Sequence, residues 1–131
     1  MKKDFLEWHE KKAEIDEKTN RLFFHEREIW FCHLGLNIGY EQDGKGRNFG
    51  RPIIVFRKFN HQILWGIPLT TKNKTGKFYF PINLNDSINR CAIISQLRLI
   101  DAKRLYYKIG IIDINTHNKL KNTMSKICSK F

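Results

Sequence analysis

The chain has 131 residues and a mass of 15.7 kDa, the size of one domain, and 41% of its residues are apolar, enough to bury a core. No apolar run reaches the roughly 18 residues of a membrane span, and the start, MKKDFLEWHEKKAEIDEK, lacks the apolar stretch of a signal peptide. Lys plus Arg number 24 against 13 Asp plus Glu, a formal charge of +11, which favours a polyanion such as nucleic acid, with solubility alone as the competing explanation.

The charge is unevenly spread. Residues 1–27 hold seven basic and seven acidic side chains, and residues 28–131 hold 17 basic and six acidic ones. The boundary divides an N-terminal helical arm, 1–27, from a basic domain, 28–131. Within the arm, residues 2–18 are rich in Glu and Lys and free of Gly and Pro, so they favour helix. Phe5, Leu6, Trp8, Ala13 and Ile15 form only a ragged apolar stripe, which predicts a loosely docked helix or an interaction arm.

From Glu28 short apolar runs alternate with turn residues. Ile29 to Leu34 reads as a strand stopped by Gly35. Gly39 to Gly50 contains four glycines with Lys45 and Arg47 and reads as a long, flexible, mostly basic loop. Pro52 to Phe56 is nearly all apolar and fits a strand buried on both faces. Asn60-His61 is a plausible turn into a strand over Gln62–Thr71, where Ile63, Trp65, Ile67 and Leu69 share one face. If that face is core, Thr70 points outward. Pro68 lacks an amide hydrogen, which predicts an edge or a bulge.

Lys72 to Lys77 reads as a turn. Phe78, Phe80 and Ile82 then alternate in another strand, and Ala92 to Leu97 reads as one more. Asp113 is placed to cap a final helix carrying Ile114, Leu120, Met124 and Ile127, with Lys119, Lys121, Lys126 and Lys130. Many short strands with terminal helices suggest a mainly β protein, either a small curved barrel or two packed sheets.

Cys32, Cys91 and Cys128 are far apart, form no CxxC pair and have no histidine at zinc-ligand spacing. They read as small core residues in a reducing cytoplasm, with no metal or other cofactor expected. Signatures for dinucleotide binding, phosphate loops, nucleophile elbows and zinc proteases are absent. Gly44 to Gly50 is glycine-rich but lacks the strand-to-helix setting that nucleotide binding needs.

Several segments, taken together, resemble the PemK/MazF toxins. Glu28-Ile29-Trp30-Phe31 and Leu34-Gly35 look like the family's opening strand. Gly39-Tyr40-Glu41-Gln42 followed by Gly50-Arg51-Pro52-Ile53-Ile54-Val55 is similar to its Gly-x-Glu-Gln loop, Arg-Pro pair and apolar strand. Ile67-Pro68-Leu69-Thr70-Thr71 resembles the strand that ends in a functional threonine. Gln96-Leu97-Arg98-Leu99-Ile100-Asp101 looks like its Gln-x-Arg-x-Ile-Asp segment, and Ala102-Lys103-Arg104-Leu105 and the final helix follow in order.

The resemblance runs from about Glu28 to Ile127. It implies an SH3-like β-barrel of the PemK/MazF/CcdB-like toxin fold that forms a homodimer. It also implies a metal-independent endoribonuclease acting on single-stranded RNA and an antitoxin partner, expected to be acidic against a +11 toxin. The family's catalytic pair maps onto Arg51 and Thr70. When a 2′-hydroxyl attacks the adjacent phosphate, negative charge builds on the phosphate oxygens, which a fixed guanidinium and a hydroxyl can stabilise. Arg51 is then an electrostatic stabiliser and proton donor rather than a base, because guanidinium stays protonated.

The residues expected to contact RNA are Glu41, Gln42, Lys45, Arg47, Phe49, Thr71, Lys72, Gln96 and Arg98. Gln96 and Arg98, two apart, would show on one strand face, and Glu41 could pair with Arg51. His33 and His61 can titrate near neutrality but match no family position, so the general base stays open. Asp43 to Gly50, eight residues, separate Gln42 from Arg51, more than the family usually has. This insertion adds Lys45, Arg47 and an aromatic, Phe49, expected to be exposed for base stacking. It could equally cover the site or displace Arg51. Two other readings use the same barrel: a non-catalytic binder of RNA or protein, and a CcdB-like gyrase poison.

Overall fold

The computed structural model describes residues 2–129, so Lys130 of the expected last helix lies outside it. Two helices flank seven strands: α1 Phe5–Asp16, β1 Glu28–His33, β2 Gly50–Lys58, β3 Ile63–Thr70, β4 Tyr79–Ile82, β5 Arg90–Ile93, β6 Arg98–Asp101, β7 Leu105–Ile111 and α2 Ile114–Ser129. The strands pair antiparallel in the order β4-β5-β3-β2-β1-β7, and β6 also pairs with β3. The fold is therefore mainly antiparallel β with a helix near each end.

Strand β2 explains why so short a chain can hold two cores. Ile54 and Phe56 face one apolar cluster, shared with Ile29, Ile67, Leu69 and, from α2, Leu120 and Met124. Ile53 and Val55 point the other way, into a cluster with Phe24, Trp30, Cys32, Leu64 and Ile100. Period-two alternation in a strand covered on both faces makes every residue of the run apolar, as Pro52–Phe56 led us to expect.

The next strand corrects the sequence reading. Trp65 is 41% exposed, packed edge-on against Phe59 at 5.0 Å, while Leu64 is fully buried. The first half of β3 is covered on one face only, and from Gly66 to Thr70 every residue is buried. One alternation rule cannot describe both halves. At Pro68 the strand has a partner on one side only, a local edge of the kind its missing amide hydrogen predicts. On one side it faces Ile53 of β2; on the other, β6 pairs only with residues 63–66 and β5 only with 69–70. The proline occupies that gap.

Ala92 to Leu97 is not one strand, because β5 ends at Ile93 and a 3₁₀ turn, Ile94–Gln96, precedes β6. Strand β7 had no sequence signal, since its alternation is half exposed. It carries Lys108, whose ammonium pairs at 2.9 Å with the buried Glu28.

Both helices are capped as their sequences suggest or allow. An Asp113 carboxylate oxygen accepts from the Thr116 amide at 2.6 Å, and Asp4 accepts from the Glu7 amide at 3.1 Å. In α2, Leu120 and Met124 are buried, but His117 rather than Ile114 completes the inward face, and Ile114 is exposed. The expectation of three core cysteines holds only for Cys32: Cys91 is half-buried and Cys128 exposed, and all three are free. Burial pushes the Cys32 thiol up to about 12.

The loosely docked arm is also corrected. Trp8 and Ile15 are buried, and with Phe49 and Leu36 they form a third apolar cluster. Two residues spaced seven apart are enough to seat one face of a short helix.

Candidate active site

Strands β2 and β3 pair Ile53 with Pro68. Two residues beyond that pair, Arg51 reaches across to β3, its guanidinium donating to the carbonyl of Leu69, the neighbour of Thr70. Thr70 in turn pairs with Cys91 of β5. Both proposed catalytic residues are therefore at the ends of central, well-packed strands, and both are nearly buried, at 8% and 9% exposure.

The Arg51 guanidinium is held by backbone. Its Nε donates to the Asp43 carbonyl at 2.6 Å and its Nη1 to the Leu69 carbonyl at 3.0 Å. A guanidinium has five N–H groups, so three remain for a ligand. Burial lowers its proton affinity and the nearby Asp43 carboxylate partly restores it. The expected pairing with Glu41 does not occur: the Glu41 carboxylate accepts instead from the Ile38 amide at 2.9 Å. The Thr70 hydroxyl oxygen accepts from the Lys72 amide at 3.2 Å, which leaves its hydrogen free to donate.

Two depressions meet at this pair. One, about 510 Å³, is lined by Lys45, Arg47, Arg51, Thr70, Thr71 and Lys72, with Phe31 and Tyr106. The other, about 490 Å³, is lined by Glu41, Gln42, Lys45, Arg51, Thr70, Lys72 and Gln96. Lys45, Arg51, Thr70 and Lys72 belong to both, so a trough with cationic walls passes over Arg51 and Thr70. Nine of the eleven candidate residues line one lobe or both.

Two candidates stand apart. Phe49 is buried, at 7% exposure, against Trp8 and lines neither lobe. It is a core residue of the third cluster, not an exposed stacking platform. Arg98 lines a smaller hollow of about 270 Å³ with Glu41, Gln42 and Gln96. Gln96 and Arg98 do not share a strand face, because Gln96 ends the 3₁₀ turn and Arg98 begins β6. Gln96 clamps the preceding loop, donating from Nε2 to the Tyr40 carbonyl at 3.1 Å and accepting at Oε1 from the Gln42 amide at 3.2 Å.

The trough also contains residues that the sequence did not suggest. Arg90 lines the first lobe, with Nη1 donating to both Asp86 carboxylate oxygens at 2.9 Å. Tyr106 lines it too, and its hydroxyl approaches the chain where Gly50 has no side chain: a Cβ there would be 1.9 Å from that oxygen. Nothing in the local sequence of either residue marks it.

His33 is buried beneath this wall, stacked on Tyr106 at 4.1 Å and bonded through Nδ1 to the Asn48 carbonyl at 2.6 Å. Burial depresses its proton affinity against the pull of that carbonyl. His61 is exposed, edge-on to Phe23. Neither lines the trough. Among the described residues no group of three or more His, Cys, Asp or Glu is arranged to hold a metal ion, and no helix is long and apolar enough to cross a membrane.

Comparison with known proteins bears on what this trough belongs to. A comparison with curated proteins found no match. Among solved structures, MazF from Deinococcus radiodurans aligns with a TM-score of 0.64 at 12% identity, over 82% of this chain and 97% of that one. An endoribonuclease in complex with its cognate antitoxin from a mycobacterial species aligns at 0.62 and 13% identity, over 83% and 98%. A MazE–MazF complex from Deinococcus radiodurans aligns at 0.58 and 9% identity, over 84% and 98%. At these identities the likeness is one of fold. The sequence comparison goes further, matching residues 25–128 to the family described as PemK-like, MazF-like toxin of type II toxin-antitoxin system. That match spans most of the chain and contains Arg51, Thr70 and both lobes of the trough, and the chain belongs to this family of toxins.

Proposed function

We propose that the chain is a toxin endoribonuclease that cuts single-stranded RNA without a metal ion and is neutralised by an antitoxin. The observation that carries this reading is that Arg51 and Thr70, on paired strands, both line the two cationic lobes where they meet. The 2′-hydroxyl of one nucleotide attacks the adjacent phosphorus and gives up its proton as the 2′-O–P bond forms. The P–O5′ bond breaks as the departing O5′ takes up a proton, so the net proton change is zero. The products are a 2′,3′-cyclic phosphate and a 5′-hydroxyl. The two free N–H groups on Nη2 and one on Nη1 of Arg51 meet the charge that develops on the phosphate, and the Thr70 hydroxyl donates beside them. Because both groups are fixed before RNA arrives, little reorganisation accompanies the reaction.

Lys45, Arg47 and Lys72 draw the strand into the trough, and Thr71 and Gln42 add polar contacts at its floor and rim. The solved relatives include complexes of an endoribonuclease and of MazF with their antitoxins, which supports a protein partner here; the basic trough favours an acidic one. The reading includes a homodimer, for which Trp65 and Leu99, paired across β3 and β6 and both exposed, offer an apolar face. The cytoplasm, where RNA and the antitoxin are made, is its expected location.

The test is incubation of the purified protein with single-stranded RNA in excess chelator, with Arg51→Ala as the control. Cutting with cyclic-phosphate and 5′-hydroxyl ends, lost in the variant, is the expected result. Tight RNA binding without cutting by the wild type would establish a non-catalytic binder instead.

A further inference from the structure

Helix α1 lies outside the catalytic pair, yet its buried face rests on the insertion that walls the trough. We propose that α1 is a brace that holds residues 43–50 as a fixed basic wall for RNA, with Trp8 as the positioning residue through which it acts. The inference rests on the RNA-cleaving reading above and adds to it a source of affinity.

Four contacts support it. The Trp8 ring meets Phe49 at 5.3 Å between centroids, at 55°. Gly35 makes room for the indole: its φ is +84°, and a Cβ there would be 2.1 Å from Trp8 Cζ2. Arg104 places its guanidinium carbon over the Trp8 ring, 5.8 Å from the centroid. Ahead of the helix, Lys3 Nζ pairs with Asp43 Oδ2 at 2.9 Å, and Asp43 is the residue whose carbonyl accepts from Arg51.

The insertion itself is built to be held. Phe49 adopts φ +49°, a region that a bulky side chain occupies only where its surroundings fix it. With Phe49 turned toward Trp8, Lys45 and Arg47 face the trough. The segment closes as a hairpin, Lys45 and Gly50 exchanging backbone hydrogen bonds at 2.8 and 3.0 Å, and Gly35 bonds to both Gly44 and Phe49. With glycines at 44, 46 and 50 it still depends on side-chain packing to hold one conformation, and RNA would otherwise have to order it on binding. An ordered wall avoids that entropic cost, so the brace acts on affinity more than on the chemical step. Asn37, whose amide donates to Asp43 Oδ1 at 2.6 Å, still secures the Arg51 contact when Trp8 is lost.

The experiment compares the full-length wild type, Trp8→Ala and Trp8→Phe. Binding is measured with a mixed-sequence 2′-O-methyl RNA dodecamer, which has no free nucleophile, across a salt series. Cleavage constants are measured with the unmodified RNA. We expect Trp8→Ala to weaken binding about tenfold and to lower the slope of log affinity against log salt by about 1.4, the value for two phosphate contacts on a single strand. Its kcat should stay within about twofold of wild type, a KM effect, and Trp8→Phe should restore binding. In a Lys45→Ala/Arg47→Ala background, Trp8→Ala should add nothing, because coupled residues are not additive.

A second arm needs no RNA. Trypsin should cut after Lys45 or Arg47 faster in Trp8→Ala than in wild type, under conditions where the rest of the chain stays folded. Should Trp8→Ala not fold, Phe49→Ala breaks the same contact from the loop side and takes its place. Unchanged trypsin cutting together with an unchanged salt slope in a folded variant overturns the proposal. If the wild type neither binds nor cuts RNA, the cleavage reading fails, and the trypsin arm alone decides the brace.

Discussion

At Arg51 a single side chain combines burial, charge and two backbone carbonyls, and this combination makes its replacement informative. The Asp43 and Leu69 carbonyls fix the guanidinium plane, and a lysine can neither span both acceptors nor present a paired donor edge. We therefore expect Arg51→Lys to remain folded and charged yet lose about 100-fold or more in kcat, the scale of a missing transition-state donor. Thr70→Val keeps shape and removes only the hydroxyl, whose hydrogen is free because Lys72 donates to its oxygen. A hydrogen bond to a charged group contributes about 1.5–3 kcal/mol, so single-turnover cleavage should slow roughly ten- to 100-fold. Both residues were singled out in sequence through the Arg-Pro and Leu-Thr-Thr segments, and the two variants test the role proposed for them. Phe49 was misread for a physical reason: in a glycine-rich basic loop, nothing local shows that a tryptophan 41 positions earlier in the chain will bury it.

Among the elements, α2 offers a pH test. His117 is 2% exposed on its inward face, edge-on to Phe56 at 5.8 Å. Burial lowers its proton affinity below the ordinary value of 6.5, aided by Lys121 and Arg27 and opposed by Glu26. Above that value the ring is neutral whether the chain is folded or not, and it adds no pH dependence. As pH falls below it, the unfolded chain takes up the proton first, so stability falls toward the lower folded value. The melting temperature of the wild type should thus drop as pH is lowered below about 6.5, and His117→Leu should drop less. His33 has the same sign of shift, is present in both proteins and cancels in the comparison.

The 3₁₀ turn after β5 offers a second test at this scale. Gln96 spans from it to the 40–42 loop with two hydrogen bonds. Gln96→Ala should cost about 1 kcal/mol in urea unfolding and leave kcat nearly unchanged, since the clamp acts on the loop rather than on the phosphate. The turn escaped the sequence reading because Ala92–Leu97 is apolar enough for a strand. It turns because β3 changes partner from β5 to β6 around Pro68, a long-range event with no local signature.

Over the whole molecule, the +11 charge becomes useful only where it is arranged. Lys45, Arg47, Arg51 and Lys72 converge on one trough, and four phosphate contacts on a single strand give a salt slope of about 3. The KM for RNA should rise along that slope as salt increases while kcat changes little, measured by steady-state cleavage. The sequence by itself determined the mainly β character, the double-sided burial of Pro52–Phe56, the capped last helix and the family resemblance. These depend on short-range alternation, capping chemistry and a motif order contained in the chain. Tertiary structure alone decided that Arg51 and Thr70 line one trough, that Phe49 is core, and that α1 packs against Phe49 of the insertion. Strand register and helix docking depend on contacts between residues tens of positions apart, and local preference carries no information about which of them meet.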